Sequence, residues 1–318
     1  MGATILLTGA SSFTGFWFAR ELAREGHRVI ATLRRKPQDY EGTRGRRVAL
    51  LMQCADVVPE IVFGDAAFLK LTETSRCDLL CHTAARMERY RDIDFNISLA
   101  LAENTRNFKA VSEILAGNGA RGVVIAGTVA EAGEGQGTMP LAAMSPYALA
   151  KSMTATVLDF WCQRASLPLG KFVIPNPVGP MDQDRFCEYL AGEWLAHRVP
   201  TVRTPRYVRD NIHVSLLARA FAAFCADMLE APHDRKLGPS LYAESQGDFA
   251  HRLAREMSPR LGLPCPLELA EQPVLAEPEI RINRDKVRER FPDWSETAAW
   301  DEFAASLACR SEAAHVVG

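Results

Sequence analysis

The chain has 318 residues, 47% hydrophobic and 24% charged, with a formal net charge of −2. That is enough apolar sequence to bury a full core in one large or two modest domains, and so small a net charge argues against a nucleic-acid or acidic-membrane partner. No apolar run approaches bilayer-spanning length and no basic segment precedes an apolar one at the N-terminus, so neither an anchor nor a signal peptide is expected.

Eight cysteines are scattered, at positions 54, 77, 81, 162, 187, 225, 265 and 309. Cys77, Cys81 and His82 lie close together, but Cys81 and His82 sit inside an apolar strand pattern. Buried thiols are therefore expected there, and no metal site. The spread of thiols fits a reducing cytoplasm.

Thr4 to Thr8 is a short apolar run ending at Gly9, followed by Ser11, Ser12, Phe13, Thr14 and Gly15 and then by helical spacing from Phe16 to Gly26. Strand, small-residue turn and helix in this order let backbone N–H groups approach a pyrophosphate at the helix N-terminus. The glycine pattern is incomplete, because its middle position is Ser12. Arg28 to Leu33 reads as the second strand. A carboxylate at its end would hold a ribose 2′-hydroxyl. Here Arg34, Arg35 and Lys36 follow instead, with no acid before Asp39. Cations at this point suit a 2′-phosphate, so NADP(H) is preferred and NAD(H) stays open. A solvated basic loop is the plain alternative.

Arg34 to Arg46 reads as a loop, Glu60 to Asp65 as strand three, and Asp78 to Ala85 as strand four. Asp65 stands where a side chain could meet an adenine, and the small Ala84 and Ala85 would leave room for a cofactor. Ile93 to Leu115 reads as one long helix and Gly122 to Ala126 as strand five. This strand–helix alternation predicts an α/β fold with a doubly wound parallel sheet and ligand at the strand C-terminal ends. Tyr147 and Lys151 then fall four apart at the start of a helix, on one face. An ammonium beside a phenol favours the phenolate, and a phenol so tuned can move a proton at a carbonyl or alcohol. Tyr-x-x-x-Lys also occurs by chance in many helices, so its weight comes from the motifs around it.

Taken together, Thr8-Gly9 through Gly15, Gly64-Asp65, His82-Thr83-Ala84-Ala85, Gly127-Thr128 through Gly133, Tyr147 to Lys151, Asn176 to Pro180 and Val208 to Val214 resemble, in order, an extended short-chain dehydrogenase/reductase of the NAD(P)-dependent epimerase/dehydratase type. The resemblance implies catalytic roles for Thr128, Tyr147 and Lys151. It implies dinucleotide contacts from Gly9 to Gly15 and from Asp65 and Ala84, and substrate contacts from Thr128, from Asn176 and, on the pyrophosphate, from Arg209. It also implies a nucleotide-sugar substrate, a dinucleotide-binding domain over 1–175 with an interleaved substrate region over 176–318, and a homodimer paired through the helix before strand five and the Tyr147 helix. An asparagine at 96, 104 or 107 could support Lys151 through water, but a helix-surface amide is the preferred reading for each.

One departure refines the expectation. Dehydratases of this family carry Asp-Glu after the Thr, where this chain has Val129 and Ala130. Glu131 lies one position further on, where alternation along an extended strand would reverse its direction, so it is not counted and dehydration is disfavoured. Gly127 to Gly133 most resembles the nucleotide-sugar 4-ketoreductases, which implies an NADPH-dependent reductase of a nucleotide-linked 4-keto-6-deoxy sugar. A 4-epimerase with retained NAD and a non-catalytic dinucleotide sensor remain as alternatives.

Overall fold

The computed structural model describes residues 2–182 and 185–316. The chain divides into two compact units, one made of Met1–Gly135, Pro140–Ile174 and Ala218–Gly238, the other of Gln136–Met139, Pro175–Leu217 and Pro239–Gly318.

The first unit is a mostly helix-covered sheet of β1 (Thr4–Thr8), β2 (Arg28–Thr32), β3 (Asp56–Val58), β4 (Leu79–His82), β5 (Gly122–Thr128) and the strands Leu169–Ile174 and Arg235–Leu237. Its seven strands run in the order Arg235–Leu237, Leu169–Ile174, β5, β4, β1, β2, β3, and every pairing is parallel. A parallel sheet is covered on both faces, so its central strands are continuous apolar runs. Ile5, Leu6, Leu7, Leu79, Leu80, Val123 and Val124 are accordingly fully buried. The strand order reverses between β1 and β4, which opens a crevice beyond their C-terminal ends, where ligands bind in this architecture. Around the sheet lie α1 (Phe13–Arg24), α2 (Gly42–Leu51), α3 (Ala66–Ser75), α4 (Ile97–Asn104), α5 (Phe108–Gly117) and α6 (Pro146–Arg164). On one face Phe18 stacks on Phe221 with centroids 4.0 Å apart and meets Phe172 edge-on at 5.8 Å.

Three elements differ from the sequence reading. The third strand is Asp56–Val58, not Glu60 to Asp65. Positive φ at Glu60 (58°) and Gly64 (72°) breaks the extended backbone there, while Ile61 and Phe63 are buried as loop residues. The loop expected up to Arg46 ends early, because α2 starts at Gly42. The long helix over 93–115 is two helices. Asn107 takes a left-handed φ of 50° between them, and its side-chain amide donates to the Gly64 carbonyl at 2.8 Å. Apolar spacing continues across the break, and asparagine tolerates that conformation, so periodicity alone hides it.

The second unit contains a five-stranded sheet with Tyr242–Ser245, Val208–His213, Ile280–Ile282 and Gln136–Gly137 in order, and Asn176–Val178 paired to Val208–His213. The helices Phe186–Leu195, Gln246–Leu261 and Glu296–Val316 contribute Trp194, Phe249, Trp300 and Phe303 to one core. No described helix is long and apolar enough to cross a membrane.

Candidate active site

The turn from β1 into α1 tolerates no side chain at its two glycines. A Cβ on Gly15 would lie 2.2 Å from the Gly9 carbonyl oxygen, and one on Gly9, whose φ is 75°, would lie 2.7 Å from the Ala84 nitrogen. Ser12 caps α1, its hydroxyl accepting from the Gly15 N–H at 3.0 Å. Such a cap contributes about 1 kcal/mol. No acid stands in the first turn of α1, so the positive helix end is left for an anion. Phe13 is buried and Thr14 is half-buried behind the turn.

A chain of hydrogen bonds fixes the neighbouring strand ends. The Ala84 N–H donates to Thr8 Oγ1 at 3.2 Å, and Thr8 Oγ1 lies 2.8 Å from His82 Nδ1. His82 Nε2 lies 3.1 Å from the Asn104 carbonyl. A carbonyl only accepts, so Nε2 carries the proton, and the neutral ring's Nδ1 accepts from Thr8. Burial, reinforced by the Lys151 charge, pushes His82 down to about 3, against the pull of the Asn104 carbonyl. Asn104 is not the surface amide expected. It is buried, its Oδ1 accepts from the Arg86 N–H at 3.0 Å, and its amide reaches Thr154 at 3.4 Å. Asn96 does sit at the surface, capping α4.

The helix bearing Tyr147 starts cleanly. Ser145 accepts from the Ala148 N–H at 3.1 Å, and Pro146 occupies the first turn, where its missing N–H costs nothing. Tyr147 is half-buried, its ring met edge-on by Tyr90 and Phe95 at 5.6 and 5.8 Å. Lys151 is buried and its Nζ donates to the Ala126 carbonyl at 2.5 Å. Burial lowers its proton affinity and Lys171 adds to that, while Glu131 partly offsets them. Thr128 ends β5 half-exposed, with its hydroxyl 3.4 Å from the Ala130 N–H.

Sequence reasoning missed two groups. Glu131 is fully buried. Its Oε1 accepts from the Thr128 N–H at 2.8 Å and its Oε2 pairs with Lys171 at 2.5 Å. The chain turns at this point, with the Glu131 N–H bonded to the Thr128 carbonyl at 3.0 Å, so strand alternation does not apply. The second group is on α2. Arg44 donates to Ser11 Oγ through Nε at 3.2 Å and Nη2 at 2.8 Å, and buried Arg47 donates to the Ser11 carbonyl at 3.1 Å. Arg35 lies over the Tyr40 ring at 4.7 Å and Arg44 over the same ring at 5.2 Å. Burial lowers the Arg44 proton affinity, and Arg34 and Arg35 lower it further against the effect of Tyr40. Among the described residues no carboxylate pairs with Arg34, Arg35 or Arg44.

Asp65 caps α3, accepting from Phe68 N–H at 2.7 Å and Val62 N–H at 3.3 Å. In the second unit, Asn176 is exposed. Arg209 is buried, lies over the Tyr207 ring at 4.5 Å, and donates to the carbonyls of Val208, Pro278 and Glu279 and to Glu277 at 2.9 Å. A phosphate at Arg209 would therefore have to displace Glu277.

A parallel sheet of this order, a glycine turn opening the first helix, and a Tyr147–Lys151 helix tied to the end of β5 define an extended short-chain dehydrogenase/reductase. A model of the NAD dependent epimerase/dehydratase family matches residues 5–238, and the chain belongs to that family of enzymes. No curated protein sequence matches this one. Among solved structures it is similar to the UDP-glucose-4-epimerase of Stenotrophomonas maltophila with bound NAD and formylated UDP-arabinopyranose (TM-score 0.73, 16% identity, 99% of this chain and 100% of that one). It is similar also to the UDP-Glc/GlcNAc 4-epimerase of Campylobacter jejuni (TM-score 0.71, 18% identity, 96% and 99%). A third is DesIV, a dTDP-glucose 4,6-dehydratase of Streptomyces venezuelae with NAD and TYD bound (TM-score 0.70, 18% identity, 95% and 96%). At identities this low the likeness shows the fold alone.

Proposed function

We propose that the protein is an NADPH-dependent reductase of a nucleotide-linked keto sugar, of the 4-keto-6-deoxy class. The observation that carries this reading is the Tyr147–Lys151 pair on α6, with Lys151 bound to β5 at Ala126 two residues before Thr128. The turn Gly9–Gly15 and the acid-free start of α1 fit a dinucleotide pyrophosphate, with Ala84 small enough to admit it and Asp65 at the adenine end. A bound nicotinamide supplies the hydride. Tyr147 gives the proton to the sugar oxygen, Thr128 orients that oxygen through its hydroxyl, and Lys151 holds the nicotinamide ribose and steadies the phenolate. Asn176 and, after release from Glu277, Arg209 serve the nucleotide phosphates. The absence of an acid pair at Val129 and Ala130 argues against loss of water.

The uncompensated cluster of Arg34, Arg35 and Arg44 favours the 2′-phosphorylated carrier. A hydrogen bond to a charged group contributes about 1.5–3 kcal/mol. Arg34→Ala with Arg35→Ala is therefore expected to weaken NADPH binding roughly tenfold or more, leaving NADH nearly unchanged, as fluorescence titration would read. Equal losses for both carriers would reassign these cations. The similar folds solved as 4-epimerases, one of them with bound NAD, favour a second reading, a 4-epimerase on the same residues.

Purified protein with NADPH or NADH and a panel of nucleotide-linked keto sugars separates the two. Reductase activity consumes NADPH. No consumption, with NAD released on denaturation, favours the epimerase, and no turnover with retained NADP(H) binding favours a non-catalytic sensor. The expected homodimer belongs to this proposal. Leu149, Met153 and Phe160 form an exposed apolar stripe on α6 that a second copy would cover, and sedimentation decides it.

A further inference from the structure

Behind the end of β5 lies a buried ionic cluster that the proposed chemistry does not use. Lys171, in the strand Leu169–Ile174, pairs with Glu131 at 2.5 Å and Glu134 at 2.9 Å, and Glu134 pairs also with Lys236 at 3.2 Å. Both carboxylates are buried. Two buried acids and a lysine are costly to desolvate, so three consecutive β5 residues bear on why they stand here. Ala126 holds Lys151 through its carbonyl. Gly127 lets the pair lie against the strand, since a Cβ there would stand 2.8 Å from Lys171 Cε and 3.1 Å from Glu131 Oε1. Thr128 is held through its N–H by Glu131.

We propose that Glu131 and Lys171 are positioning residues of the active site: Glu131 fixes the backbone of Thr128, and the two charges together set the field in which the Lys151 ammonium sits. The inference deepens the reading of Lys151 as partner of Tyr147 and rests on it. Besides the phenol of Tyr147, its proposed partner one turn earlier on α6, the charged and titratable groups acting on Lys151 are Glu131 from the turn after β5, Lys171 from the neighbouring strand and His82 from β4, while Asn104 on α4 is uncharged. His82 is neutral across the ordinary pH range, so Glu131 and Lys171 dominate. Glu131 favours the ammonium and Lys171 opposes it.

The chain has seven lysines, so the side-chain carbon signals of ¹³C-lysine-labelled full-length protein are few, and the signal lost in Lys151→Met identifies the one that matters. Followed against pH, the Lys151 midpoint is expected to fall by about one pH unit, a tenfold change in its protonation constant, in Glu131→Gln. It is expected to rise by a similar amount in Lys171→Met. Both variants should melt at lower temperature, because Lys171→Met leaves the buried Glu131 without its cation and Glu131→Gln removes the shorter of the two ion pairs of Lys171, so a merely structural role predicts like effects from the two. Opposite shifts of Lys151 support the proposal. Shifts of the same sign, or none, overturn it. Should a single variant fail to fold, the neutral pair Glu131→Gln with Lys171→Met carries neither charge, and its Lys151 midpoint is expected to stay within half a unit (~0.5) of the wild-type value; a larger displacement counts against the proposal. None of these readings needs a sugar substrate, so a silent keto-sugar panel and a failed titration are separate results.

Discussion

Replacing Tyr147 by phenylalanine is expected to cut turnover by about 10²–10⁴-fold, the usual worth of a positioned acid–base group, with dinucleotide affinity within a few-fold of wild type. The substitution deletes one oxygen. The ring stays wedged between Tyr90 and Phe95, α6 keeps its Ser145 cap, and Lys151 keeps its bond to Ala126. A loss confined to kcat therefore reports the proton and not the fold. Steady-state kinetics on whichever keto sugar the panel selects, together with a dinucleotide titration, make the measurement. Turnover unchanged in the variant would remove the phenol from the mechanism.

The second large effect is on stability against pH. His82 and His213 are both buried, and burial pushes each down to about 3 from the 6.5 of a free histidine. Neither ring can take a proton in the fold at pH 5.5, whereas both do once unfolded. The unfolded chain then binds more protons, so stability is complete above about pH 6.5 and is lost on acidification toward the folded values. Each histidine contributes about 1.4 kcal/mol per pH unit below 6.5. Together they should lower unfolding free energy by roughly 3 kcal/mol between pH 7.5 and 5.5, a large fraction of the 5–15 kcal/mol typical of a domain. Urea unfolding at the two pH values measures it. One histidine lies in each unit, so if the units melt separately, both transitions should move. A curve indifferent to pH would mean that both rings take up protons in the fold as they do unfolded, and half the expected slope would mean that one does.

Much of the first unit could be read from residue order. Continuous apolar runs at Thr4–Thr8, Leu79–His82 and Gly122–Thr128 in strand–helix alternation read as covered parallel strands, and Gly9 and Gly15 mark the turn into the first helix, where a Cβ does not fit. What escaped was local backbone reversal. The apolar run Ile61–Phe63 looks like a strand but is a buried loop, because Glu60 and Gly64 adopt positive φ. Glu131 was set aside on a strand's alternation that ends at Thr128. Arg44 falls in the stretch read as a loop, and only the helix that begins at Gly42 turns it and Arg47 onto Ser11. In each case the deciding fact is a change of chain direction, which composition and periodicity do not carry. The motif singles out Arg209 as a candidate phosphate partner, but the carboxylate it meets in the fold, Glu277, 68 positions away, has no signal in the sequence.

The bond from Asn107 to the Gly64 carbonyl joins two left-handed residues from distant parts of the chain. Gly64 has no room to relax, since a Cβ there would sit 1.9 Å from the Arg106 carbonyl oxygen. The loop that ends in Asp65 and the α4–α5 junction are therefore latched to each other by this bond. Deuterium should enter the amides of both segments at one common rate, as a single opening event, and an adenine held beside Asp65 would be gripped by a jaw that loosens only when the latch does.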